Sequence, residues 1–183
     1  MGYIHLITGN GKGKTTSAVG LTIRVLGYKR RVAFIQFDKG FDGTNEHYNE
    51  RHILRRLEGI DLHPFGCERM TPGGRFRFEN NADDLEQARL ALECARRVVD
   101  SGEYFLIVLD EILSARATKL VSADDILDLM ARFRARNLPE CDLVMTGRGA
   151  TAPMIAAADL VSDIQPVKHY FDAGVPAREG IEY

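Results

Sequence analysis

Residues 3–16 read Tyr3-Ile4-His5-Leu6-Ile7-Thr8-Gly9-Asn10-Gly11-Lys12-Gly13-Lys14-Thr15-Thr16, and an apolar-periodic stretch, 18–26, follows at once. A short apolar run that opens into alternating glycines and polar residues, then into a helical period, is the strand, loop and helix of a phosphate-binding loop. The glycines let the backbone turn its N–H groups inward around an anion, and the helix N-terminus adds roughly half a positive charge. Lys14 adds a full charge, and Thr15 supplies the hydroxyl expected on magnesium. Gly9, Asn10, Gly11, Lys12, Gly13, Lys14, Thr15 and Thr16 are therefore the candidate residues for holding a nucleoside triphosphate. The pattern G-x-x-x-x-G-K-[ST] asks for glycine at position 8, where this chain has Thr8. Glycines that served only a tight turn would leave Lys12 and Lys14 inside that turn unexplained.

Working outward, Tyr104-Phe105-Leu106-Ile107-Val108-Leu109-Asp110-Glu111 is an apolar strand ending in two carboxylates. In a parallel sheet it would end at the same edge as the phosphate loop. Magnesium is a hard cation that takes oxygen ligands, so the Thr15 hydroxyl plus a carboxylate from this strand form a coherent pair. The plainer alternative, that Asp110 and Glu111 cap the next helix, does not account for the loop beside them. Met145-Thr146-Gly147-Arg148-Gly149 closes a third apolar run and places Arg148 at that edge, where an arginine can clamp a triphosphate.

Apolar runs predict buried strands over 3–8, 31–37, 104–110 and 142–146, with a weaker fifth over 160–164. Helical periods lie between them: 15–26, stopping at Gly27; 82–99, with Leu85, Ala88, Leu92, Ala95 and Val99 on one face; and a helix opened by the capping sequence Ser122-Ala123-Asp124-Asp125. Strands alternating with helices imply crossovers. The expected fold is α/β, a three-layer P-loop NTPase-like (recombinase-like) domain with a mostly parallel sheet, spanning residues 1–183 as a single unit. Residues 65–81 show no period and read as a loop.

At 183 residues the chain can bury on the order of 70% of its unfolded surface and needs no staples. Its 24 Lys+Arg against 26 Asp+Glu give a net charge of -2 with no basic block, which does not indicate nucleic acid. Cys67, Cys94 and Cys141 lie far apart, suiting a reducing cytoplasm and neither a disulfide frame nor a zinc site. None of His5, His47, His52, His63 and His169 makes a metal-ligand spacing. Nowhere do 18 apolar residues run together, so no membrane span is expected. The pairs and triplets of basic residues, such as Lys29-Arg30-Arg31, read as solvated faces.

The segment Thr8 to Thr16 resembles the nucleotide loop of the P-loop ATP:corrinoid adenosyltransferases, including threonine in place of the first glycine. Gln36-Phe37 with Lys39-Gly40, Leu109-Asp110-Glu111, Thr146-Gly147-Arg148-Gly149, and the ending Lys168-His169 with Asp172-Ala173-Gly174 and Gly180-Ile181-Glu182 resemble that family in its order. The resemblance implies transfer of the 5′-deoxyadenosyl group of ATP to the cobalt(I) of a reduced corrinoid, with triphosphate leaving and ATP held reversed along the loop. By the same resemblance Lys14, Glu111 and Arg148 are the catalytic candidates, Thr15 and Glu111 the magnesium ligands, and Asn10 the residue on the ribose. Arg75-Phe76-Arg77-Phe78-Glu79 resembles the family segment whose aromatics crowd the lower face of the corrin, which implies corrinoid contacts for Phe76 and Phe78. The second of these places is often tryptophan in the family, and this chain has none. The resemblance further implies a flavoprotein reductant and a homodimer. Two other functions are open: a P-loop ATPase or small kinase cleaving the terminal phosphate, which fits the loop and Asp110-Glu111 alone, and a corrinoid or nucleotide carrier that binds without turnover, which the missing tryptophan and the short stretch ahead of the first strand would suit.

Overall fold

In the strands Val32–Gln36 (β2) and Leu106–Asp110 (β4) every residue is buried, as a strand covered on both faces requires. The computed structural model describes residues 2–40, 46–69, 77, 79–137 and 140–183. With Ile4–Thr8 (β1), Ile60–Pro64 (β3), Asp142–Thr146 (β5) and Leu160–Asp163 (β6) these strands form one six-stranded sheet in the order β3-β2-β4-β5-β1-β6. Every neighbouring pair is parallel.

Alternation within the strands divides the core in two. Val32, Phe34, Leu106, Val108 and Val144 pack with Ala18 and Val25 of the helix Lys14–Gly27 (α1). Ala33, Ile35, Ile107, Leu109, Leu143 and Met145 point the other way, onto the helices Ala82–Ser101 (α3), Ile112–Ala117 (α4), Ala123–Arg136 (α5) and Ala152–Ala157 (α6). The result is the expected three-layer α/β architecture, and β1, β2, β4 and β5 deliver the loops that follow them to one edge.

Two long helices begin with reciprocal caps. Asn81 accepts from the Asp84 N–H while the Asp84 carboxylate accepts from the Asn81 N–H; Ser122 and Asp125 do the same for α5. Each cap satisfies two backbone donors at a helix start.

Three features differ from the sequence reading. Helix α1 runs through Gly27, and the left-handed residue that ends it is Lys29, at φ 59. The edge strand β3 is only half-buried along its length, and Asp61, His63 and Pro64 mask its short alternation; proline is tolerated there because the strand lies at the edge. A short helix, Glu50–Leu54 (α2), follows β2. No helix among the described residues is long and apolar enough to cross a membrane.

Candidate active site

The phosphate loop is braced from behind by the chain that leaves β6. Gly9 has φ 100, and a Cβ there would lie 2.3 Å from Asp163 Oδ1 and 2.4 Å from the Ile164 carbonyl oxygen, so only glycine fits. The Gly11 N–H donates to the Ile164 carbonyl at 2.7 Å. Lys14 lies buried along the loop with Nζ donating to the Gly11 carbonyl at 2.7 Å. Burial lowers the Lys14 pKa from its ordinary value, against the pull of the Glu111 carboxylate, and the Arg148 charge lowers it further. Lys12 donates to the Ile181 carbonyl and lies 3.6 Å from Glu182, which brings the C-terminal segment to the loop.

The two carboxylates at the end of β4 face different surroundings. Asp110 is fully buried and accepts four bonds: from the hydroxyls of Thr15 at 3.0 Å and Thr146 at 2.7 Å on Oδ1, and from Lys39 Nζ at 2.8 Å and Gln36 Nε2 at 3.3 Å on Oδ2. Burial alone would raise its pKa, but the Lys39 charge and these donors outweigh it and hold the carboxyl below the usual range. Glu111 sits in the left-handed region at φ 64, which turns the chain from β4 into α4 within one residue. Its N–H donates to Thr146 Oγ1 at 2.9 Å, and its side chain lines a cavity of about 670 Å³. Because β5 lies between β1 and β4, Thr146 joins both carboxylate residues to the sheet beside the loop.

That cavity brings together Asn10, Gly11, Lys12, Gly13, Lys14, Thr15, Thr16, Glu111 and Arg148 from the sequence prediction. Gly9 shapes the turn beneath it without lining it. Arg148 is exposed; its N–H donates to Ser114 Oγ at 2.9 Å, which fixes its backbone at the rim. Phe76 and Phe78 lie outside the described residues. Arg77 between them pairs with Asp84 at the start of α3, and Arg69 bonds Asp38 at 2.8 Å and Asn80 at 3.0 Å.

Several residues at the site had no role assigned from the sequence. Lys39, two residues beyond Phe37, places Nζ 3.1 Å from Thr15 Oγ1, 2.8 Å from Asp110 Oδ2 and 3.4 Å from Glu50 Oε1, 5.0 Å from the centre of the Tyr48 ring. Burial pulls its pKa down, but Asp110 and Glu50 outweigh that and hold the ammonium above its ordinary value. Arg51, fully buried, bonds Gln36, Glu46 at 2.9 Å and the Lys39 carbonyl, so it fixes the same corner from below. His169 and residues 180–183 complete the cavity wall. The clues available in sequence were the Lys39-Gly40 pair just past a strand that ends at the nucleotide edge, and the family-like ending with Lys168-His169 and Gly180-Ile181-Glu182; neither announced a role.

The donor set suits a small hard cation brought by a nucleotide. Among the described residues no cluster of three or more His, Cys, Asp or Glu could hold a metal by itself. Magnesium usually takes one or two protein oxygens plus phosphate oxygens and water, and the Thr15 hydroxyl with the Glu111 carboxylate offers that number.

A family model described as "ATP:corrinoid adenosyltransferase BtuR/CobO/CobP" matches residues 1–183. The chain belongs to this family. A corrinoid adenosyltransferase of Pseudomonas aeruginosa is 34% identical over 183 residues, covering 100% of this chain and 84% of that protein. Its counterpart in Escherichia coli K12 is 31% identical over 182 residues, covering 100% of this chain and 86% of that one. The corrinoid adenosyltransferase CobA of Salmonella typhimurium is also 31% identical, with the same coverage. Among solved structures, the flagellar accessory protein FlaH of Methanocaldococcus jannaschii superposes with a TM-score of 0.53 at 15% identity, over 88% of this chain and 70% of that one. That likeness concerns the fold alone. ATP and a corrinoid are the substrates of the adenosyltransferase family, and its members are ATP-dependent transferases.

Proposed function

We propose that this adenosyltransferase joins the 5′ carbon of ATP to the cobalt(I) of a reduced corrinoid, in adenosylcobalamin formation. The electron pair of cobalt(I) forms the cobalt–carbon bond, the C5′–oxygen bond breaks, and that bond's electrons leave with inorganic triphosphate. The observation that carries the reading is the match of the family model over residues 1–183, which the resemblance at Thr8 and in the Lys168-His169 ending supports.

The charge to be stabilised develops on the departing triphosphate, so the site's work is electrostatic. Loop N–H groups, Lys14 and Arg148 lie around one cavity and would receive that charge. One such charge pair at ~4 Å and an effective dielectric of ~20 is worth about 4 kcal/mol before desolvation. To meet a phosphate, Lys14 would exchange the Gly11 carbonyl for the ligand, a substitution of one acceptor for a better one. Thr15 and Glu111 would hold magnesium, which when bound supplies a Lewis acid that neutralises triphosphate oxygens. Asn10 at the loop would hold the ribose. Cobalt(I) has no proton to lose, so no general base is required, and the saturated Asp110 has no free lone pair with which to act as one. Phe76 and Phe78 are the candidates for the corrin face. The same reading gives the enzyme a flavoprotein reductant and a homodimeric form from the family resemblance, and a cytoplasmic place and a single domain over 1–183 from its cysteines and length.

The test is to mix the protein with ATP, magnesium and cobalamin reduced to cobalt(I), and to follow the visible spectrum. The spectrum of a light-sensitive alkylcorrinoid is expected. Persistence of the reduced corrinoid with ATP consumed would transfer the reading to an ATPase, and tight binding of both substrates without change would make the protein a carrier.

A further inference from the structure

The corner beyond the ends of β2 and β4, beside the start of α1, holds a cation that belongs to the protein. Lys39 Nζ touches the Thr15 hydroxyl, the Asp110 carboxylate and the Glu50 carboxylate, and the side chain is only 10% exposed. Two carboxylates and a hydroxyl converging on one point are the surroundings of a hard divalent cation, and here an ammonium occupies the point. Counting lone pairs gives the consequence. Asp110 offers about four acceptor sites, and Thr15, Thr146, Lys39 and Gln36 take all of them. Thr15 gives its proton to Asp110 and one lone pair to Lys39, which leaves a single lone pair, on the side chain that lines the cavity. Glu111 has no hydrogen bond to its carboxylate and no ion pair among the described residues.

We propose that Lys39 is a positioning residue that acts as a tethered stand-in for a divalent cation: it fills the Asp110–Glu50–Thr15 corner and so confines metal binding to Thr15 and Glu111, where it needs the nucleotide's own phosphates. The functional meaning of this rests on the magnesium role proposed for Glu111, but the geometry does not depend on the corrinoid reaction. Without the ammonium, the corner would be an acidic hole able to take a metal when no nucleotide is present.

The experiment measures Mn2+ binding to the nucleotide-free protein by titration calorimetry and by the loss of the free-ion paramagnetic resonance signal. The wild-type protein is expected to show no saturable site, whereas Lys39→Ala should gain one with an apparent Kd at least roughly tenfold tighter than any wild-type binding. Lys39→Ala combined with Asp110→Asn should lose it again. If Lys39→Ala fails to fold because Asp110 is left unpaired, Mn2+ should restore its near-ultraviolet dichroism. A folded Lys39→Ala that binds no Mn2+, an unfolded one that Mn2+ does not rescue, or a wild-type protein that already binds Mn2+ without nucleotide would each overturn the inference. A protein that behaves as expected here yet makes no alkylcorrinoid would instead overturn the proposed reaction, so the two failures are distinguishable.

Discussion

Adjacent residues of the same chemical type do opposite work at the end of β4. Asp110 points into the protein and spends every acceptor on protein donors, while Glu111, turned by a left-handed backbone, lines the cavity. The sequence offered a choice between them, and the difference lies in a backbone torsion that neither residue type announces. Glu111→Gln keeps the shape and removes the charge. It should leave ATP binding in EDTA within about twofold while lowering magnesium-dependent turnover by roughly 100-fold. Calorimetry with and without magnesium, beside a turnover assay, checks both halves, and full activity in the variant would contradict a metal role for Glu111. Lys14, Thr15 and Arg148 were legible because their meaning is local, a few residues from a glycine turn or a strand end. The roles of Lys39, Glu50 and Arg51 were not, because their partners come from strands and helices distant in sequence.

At the scale of elements, caps and side-chain bonds fix where the helices around the site begin. Helix α3 begins at a reciprocal cap whose Asp84 also takes a paired hydrogen bond from Arg77, the residue between the two candidate corrin-facing phenylalanines. The Arg77 guanidinium, opposed by burial and helped by the Asn81 N–H, holds the Asp84 carboxyl at about 2, below the usual carboxylate range. A depressed folded-state pKa gives stability that is complete above the unfolded value of roughly 4 and lost as pH falls from there through about 2. Asp84→Asn should therefore lower stability at pH 7 by on the order of 1–2 kcal/mol and flatten the fall in Tm between pH 4 and 2. Parallel Tm profiles for the two proteins would show that the pair contributes nothing. The elements themselves show what periodicity can reveal. Fully buried strands and capped helices stood out, whereas β3 hid behind a half-buried pattern with Asp61, His63 and Pro64, since an edge strand packs too little to impose a strong alternation.

For the molecule as a whole, the strand order is what makes a nucleotide site out of separate motifs. Placing β5 between β1 and β4 lets Thr146 pair with Ile7 of β1 while bonding Asp110 of β4, and placing β2 beside β4 brings Lys39 and Glu50 to the same corner. Strand alternation in sequence implied a parallel sheet and its functional edge, but the neighbours within the sheet are set by long-range pairing that no short motif encodes. The cavity that results has loop amides, Lys14 and Arg148 around it, with Glu111 among the residues of its wall. The role proposed for this site is to stabilise a departing triphosphate. A single-turnover reaction of protein, ATP, magnesium and cobalt(I) cobalamin, with the phosphorus products identified by 31P resonance, tests this most directly. One inorganic triphosphate for each alkylcorrinoid formed is the predicted result; diphosphate nucleotide with orthophosphate, and no triphosphate, would contradict it.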